Sequence, residues 1–238
     1  MKNPARGGGR WIEVTPQRLA AWVDSFADRH PGVSAATQRD GVTFAADDGA
    51  MAECHVPFPP LAGGAPSKPG APGAPGEPGA QGSIADSAEL IVRHADTART
   101  VGVLLVRLGG YAAGVFTDSP PRLAASKVGS RLVHGRSAAG GTSQQRFARR
   151  REKQAAGAIS AAGDTAFAVF GQFSGRLDAV VLGGDRKAIA ALRDDPRLEP
   201  YFALATDRFL TVPDPRLAVL RDTPRMFRAI RIRLTEPT

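Results

Sequence analysis

The stretch Val101-Gly-Val-Leu-Leu-Val-Arg-Leu108, Gly109-Gly110, Tyr111-Ala-Ala-Gly-Val-Phe-Thr117 reads as a β-hairpin. Two runs rich in branched apolar residues flank a two-glycine turn, the composition that lets a two-residue loop take positive φ. A third strand is expected from Leu123 to Val133. A loop, Gly135 to Ser143, then leads into a long helix from about Gln144 to Ala162. Further on, Leu177-Asp-Ala-Val-Val-Leu182 is a short apolar strand ending in Gly183-Gly184, and Asp185 caps a helix through Arg193. Phe209 to Val212 and Arg228 to Leu234 are two more strand candidates. Strands followed by helices, with a strand-helix-strand unit near the end, predict an α/β domain with a mixed sheet.

Upstream, Thr15 to His30 predicts an amphipathic helix. Thr15 is the N-cap, Pro16 takes the first helical position, and Leu19, Trp22, Val23 and Phe26 share one face. His30-Pro31-Gly32 stops it. Val42 to Ala46 and Met51 to Phe58 read as strands around the turn signal Asp47-Asp48-Gly49. From Pro57 to Ser83 the chain is rich in Pro, Gly and Ala, with Gly-x-x triplets from Gly70 to Gly82. The triplets are too few for a collagen helix, so an extended linker or surface loop is expected. Ile84 to Ala95 reads as helix or strand. The expected organisation is a small α+β piece over 1–58, a linker or loop over 59–83, and the α/β domain over 84–238.

The 238 residues can bury a sizeable core without staples. A single cysteine, Cys54, excludes an internal disulfide, and no paired Cys/His spacing points to a metal, so neither metal nor cofactor is expected. The first ten residues lack an apolar signal segment and no run of about 18 apolar residues occurs, so a cytoplasmic protein without a membrane is expected.

The net charge of +8 is concentrated. Arg122 to Lys153 holds nine basic residues and one acid, Glu152, while the remainder holds 22 basic and 22 acidic residues. A local basic patch on a neutral body is the footprint of a nucleic-acid binder. On the expected helix, Arg146, Arg149, Arg150 and Lys153 fall on one stripe suited to phosphates, and Ala148, Ala155, Ile159 and Ala162 on the opposite side. Before them stands the glycine-rich loop Gly140-Gly141-Thr142-Ser143-Gln144-Gln145. Thr142 and Gln145 have capping-box spacing, which would leave Gln144 to face a substrate. Gly135 to Thr142 nearly fits the phosphate-binding pattern G-x-x-x-x-G-K-[ST], but Gly141 replaces the lysine that contacts terminal phosphates, which argues against nucleotide hydrolysis.

Ala125-Ser-Lys-Val-Gly-Ser-Arg131, the block Gly135 to Arg151 and the hairpin before them resemble the bacterial Vms-like release factors, relatives of the catalytic domain of eukaryotic and archaeal class-one peptide-release factors. The resemblance is specific over about residues 100 to 185. It implies a ribonuclease-H-like α/β fold and action on peptidyl-tRNA at the large ribosomal subunit, in rescue or quality control. Matching the family's Ser-Gln places the functional glutamine at Gln144, with Gly140, Gly141, Thr142, Ser143 and Gln145 as its loop. Two residues separate Gly141 from Gln144, unlike the Gly-Gly-Gln of the classical release factors. The partners implied are the large subunit, its rRNA and peptidyl-tRNA, met by a monomer through Lys127, Arg131, Arg136, Arg146, Arg149, Arg150 and Lys153.

A glutamine amide does not titrate near neutral pH, so Gln144 would orient a water or a ribose hydroxyl while a backbone N–H meets the oxyanion. Hydrolysis of the peptide–tRNA ester is the leading expectation. Cleavage within the tRNA 3′ end uses the same loop, and a non-catalytic rRNA- or tRNA-binding module is the reading from another class. Sparse aromatics, 6% of residues, argue against single-strand recognition by stacking.

Overall fold

The computed structural model describes residues 3–4, 9–62, 82–107, 110–130 and 143–237, by backbone only at 3–4 and 143–153. In chain order the strands are β1 (Asn3–Pro4), β2 (Arg10–Val14), β3 (Ser34–Gln38), β4 (Gly41–Ala45), β5 (Met51–His55), β6 (Val101–Arg107), β7 (Gly110–Thr117), β8 (Arg122–Ser130), β9 (Ala179–Gly184), β10 (Ala205–Leu210) and β11 (Ile230–Thr235). The helices are α1 (Pro16–Ala27), α2 (Ile84–Asp96), α3 (Ser143–Gly171), α4 (Arg186–Ala191), α5 (Glu199–Phe202) and α6 (Leu217–Phe227). Two 3-10 turns, Leu192–Asp194 and Pro196–Leu198, separate α4 from α5.

The chain divides into two compact units. Unit 1 is Met1–Thr97 with Arg228–Thr238, and unit 2 is Ala98–Phe227. This corrects the expected boundary at residue 84: α2 and β11 belong with the N-terminal piece.

Unit 1 is a six-stranded antiparallel sheet in the order β1-β2-β11-β5-β4-β3. The strand alternation decides its buried face. Ile230, Ile232 and Leu234 of β11, Ala52 and Cys54 of β5, and Val42 and Phe44 of β4 join one core with Leu19, Val23 and Phe26 of α1 and Ile91 of α2. Thr15 and Pro16 begin α1 as its sequence predicts, although the Thr15 side chain makes no cap bond. Ser83 caps α2 by accepting from the Asp86 N–H, which settles that segment as helix. Arg228 ties the start of β11 to the end of α2, donating to the Ala95 carbonyl and the Asp96 carboxylate.

Unit 2 carries the mixed sheet, in the order β10-β9-β6-β7-β8. β6, β7 and β8 form an antiparallel meander around the expected hairpin, and β9 and β10 add in parallel on the other side of β6. Only β7 runs against the other four, the ribonuclease-H-like arrangement. Residues from β6, β7 and β9 (Leu104, Val106, Ala113, Val115, Val180, Leu182) bury against α3, α4 and the 3-10 turns in one core. Helix α6 lies on the opposite face, where a Cβ on Gly114 would meet Leu220, and Phe227 packs edge-on against Phe116 at 5.9 Å.

At the end of β9, Gly184 has φ +98°, and a Cβ there would strike the Val106 backbone. Glycine therefore permits the turn that sends the chain into α4. Asp185 then caps α4 as expected, accepting from the Lys187 N–H at 2.8 Å.

Candidate nucleic-acid interface

Helix α3 dominates one face of the unit 2 sheet. It spans 29 residues, beginning one residue before and ending nine after the expected bounds. The sequence reading stopped at Gly163, yet that glycine lets the helix approach a 3-10 turn. A Cβ there would lie 3.0 Å from Asp195 Oδ2. Beyond it Ala166, Val169 and Phe170 continue the buried stripe begun by Ala158 and Ala162. Arg197 secures the approach. Its guanidinium donates to Asp164 of α3 at 2.8 Å and to Asp195 at 2.7 Å, which pulls the Asp195 carboxyl below its ordinary range and raises the guanidinium further.

Among the described side chains of α3 the first fully buried one is Ala158, about 22 Å along the axis from Ser143 at 1.5 Å per residue. Of the predicted apolar side, Ala155 and Ile159 are half-buried and Ala162 is fully buried. The residues Arg146, Arg149, Arg150 and Lys153 all fall within the helix ahead of Ala158, at spacings of three, four and seven that place them on one stripe.

The loop expected around the glutamine ends earlier than foreseen. Gln144 and Gln145 stand in the first turn of α3, in line with the expected helix start, and Ser143, expected as the last loop residue, begins the helix. The first backbone N–H groups of a helix have no intrahelical partners and lie at the positive end of the helix dipole, so this turn can meet an anionic group. Gly140, Gly141, Thr142, Arg131 and Arg136 lie outside the described residues.

Lys127 is exposed on β8. It pairs in register with Ala113, whose side chain is in the core beneath α3. Lys127 therefore stands on the same face of the sheet as α3, and the structure brings it beside the helix that carries the other cations. A register shift at Val115/Phe116 turns Leu123 to the opposite face, toward Gly114 and Leu220.

Among the described residues there is no group of three or more His, Cys, Asp or Glu that could hold a metal ion. No described helix is long and apolar enough to cross a membrane.

Residues 99–233, more than half of the chain, match the model of the Actinobacteria/chloroflexi VLRF1 release factor family, acVLRF1. The chain belongs to this release-factor family. The match spans the hairpin, α3 and the α4 layer, so the acVLRF1 assignment covers the basic face and nearly all of unit 2. Two solved structures are similar at low identity. The archaeal translation termination factor aRF1 is 12% identical with a TM-score of 0.40, over 88% of this chain and 69% of that one. A structure described as an archaeal protein is 13% identical with a TM-score of 0.34, over 76% of this chain and 48% of that one. No curated protein gives a significant match.

Sequence reading missed the cations of α4, Arg186 and Lys187, which lie on the same face as α3. No local signal could have joined them to the basic window, because more than thirty residues and a strand intervene.

Proposed function

We propose that this acVLRF1 protein frees nascent peptide from peptidyl-tRNA on the large ribosomal subunit in the cytoplasm, acting in ribosome rescue or quality control. The observation that carries the reading is the position of Gln144 in the first turn of α3, directly ahead of the basic stripe. That arrangement would bring the amide to the ester while Arg146, Arg149, Arg150, Lys153 and Lys127 grip RNA phosphates, with Arg131 and Arg136 adding to them.

In the proposed reaction a water attacks the ester carbonyl carbon and the bond to the ribose oxygen breaks. The products are a free peptide carboxylate and a tRNA with its terminal hydroxyl restored. Gln144 orients the water, and a backbone N–H from the segment Gly140, Gly141, Thr142, Ser143 and Gln145 meets the oxyanion. Proton transfer falls to the RNA and solvent, because the amide cannot act as a base near neutral pH.

The test is incubation with large subunits carrying labelled peptidyl-tRNA, followed by mass analysis of the tRNA. Intact tRNA and free peptide support hydrolysis. A tRNA shortened at its 3′ end makes the protein a nuclease, and absence of release leaves it an RNA-binding module.

A further inference from the structure

Helix α3 shares its face of the sheet with α4. Ile189 of α4 and Leu192 and Leu198 of the 3-10 turns bury in the same core as Ala162, Ala166 and Phe170. The direction of α3 follows from its far end, where Phe170 packs against Gly102 at the start of β6. Helix α3 therefore begins toward the edge where β6 ends. Helix α4 begins at that edge too, since the Asp185 N–H donates to the Val106 carbonyl at 2.7 Å.

Arg186 and Arg193 are seven residues apart and both are exposed. Each guanidinium rests on an aromatic ring, Arg186 at 4.2 Å from the centroid of Phe209 and Arg193 at 4.7 Å from that of Phe202. A ring holds the flat fork in place without cancelling its charge. Lys187 is exposed beside Arg186. Among the described residues none of these three forms an ion pair, in contrast to Arg197. On the other flank of α3 stands Lys127 on β8, three strand spacings or about 14 Å from β9.

We propose that Arg186, Lys187 and Arg193 form a second phosphate-binding row beside the basic stripe of α3, so that an RNA backbone is held across the whole face. The proposal builds on the RNA-binding part of the preceding reading and is independent of the chemistry at Gln144. Charge complementarity selects the partner: two guanidiniums carried on rings and an exposed lysine, none paired with a carboxylate among the described residues, suit a phosphodiester chain.

The experiment measures the affinity of the full chain for unacylated tRNA over a range of potassium chloride concentrations. Wild type is compared with R186A/K187A/R193A and with R216A/R221A/R225A, which removes the same charge at α6 on the opposite face. Loss of three phosphate contacts lowers the slope of log affinity against log salt by about 2 to 3. The α6 variant should keep the wild-type slope, and thermal melts should show both variants folded. An unchanged slope for the α4 variant, an equal fall for both variants, or no tRNA binding by wild type would overturn the proposal. Gln144→Ala should keep the wild-type slope, so failure of the release chemistry is told apart from failure of this surface.

Discussion

In unit 1 three arginines beside the sheet are tied to carboxylates, while Arg231 rests on the Trp11 ring at 4.6 Å. Arg228 holds Asp96, Arg233 lies 3.2 Å from Glu53, and Arg10 lies 3.1 Å from Glu236. On the α3 face of unit 2, Arg186 and Arg193 rest on aromatic rings and Lys127 stands exposed, while Arg197 is tied to Asp164 and Asp195 where α3 meets the 3-10 turns. Both units use arginine near a packed sheet, with two different consequences. A paired arginine directs its donors into the fold. One supported on a ring keeps its charge for an anionic partner. Residue type alone therefore does not mark a binding surface; the partner of each cation counts together with the cations clustered beside it.

The largest effect is expected in unit 2 and leaves stability untouched. Gln144→Ala should lower the rate of peptide release by about 100-fold or more if its amide orients the nucleophile, with unchanged ribosome binding. Single-turnover release at saturating protein measures it, and a variant as fast as wild type would remove Gln144 from the chemistry. The contrasting change in unit 1 is Arg228→Ala. It should cost about 1–2 kcal/mol in urea unfolding, since it breaks a half-buried pair and frees the α2 carbonyl, and should leave the salt slope for tRNA alone. A fall in that slope would mean that unit 1 also contacts RNA.

Lys127→Ala sharpens the comparison from the other side. It should lower the slope by about 1 while changing stability by less than about 0.5 kcal/mol. The smallest effect is a pH dependence in unit 1. His55 packs against Trp11 at 5.3 Å while staying exposed, and partial desolvation lowers its pKa from 6.5, with Glu53 opposing the shift and Arg231 adding to it. The unfolded chain then takes up the proton first. Stability is fully present above about pH 7 and should fall as pH drops through the ordinary histidine value toward the folded one. His55→Gln should flatten that part of a urea-midpoint profile, and an equally steep profile in the variant would assign the dependence to other groups.

Much of the local structure was readable from the chain. The hairpin of β6 and β7, the start of α1 at Thr15-Pro16 and the Asp185 cap all came from residues adjacent in sequence. Three strands were not read. Asn3–Pro4 has only two residues, Ser34–Gln38 has small and polar residues with no apolar alternation, and Arg10–Val14 is short, with Trp11 and Ile12 adjacent and no alternation. The basic stripe was readable as a helical spacing, and the expected start at about Gln144 falls one residue inside α3.

What the sequence determined by itself was whatever depends on neighbours: turn residues, caps, the 3.6-residue periodicity of α1 and the clustering of positive charge. Tertiary structure alone decided which sheet β11 joins, since Ile230, Ile232 and Leu234 would suit any half-buried antiparallel strand and find their places only between β2 and β5. It alone extended α3 past Gly163, where Ala166, Val169 and Phe170 find their places in the unit 2 core. It also placed Arg186, Lys187 and Arg193 on the face of α3. The physical reason is common to all three: each outcome depends on contacts between residues distant along the chain, and local chemistry limits those contacts without choosing among them.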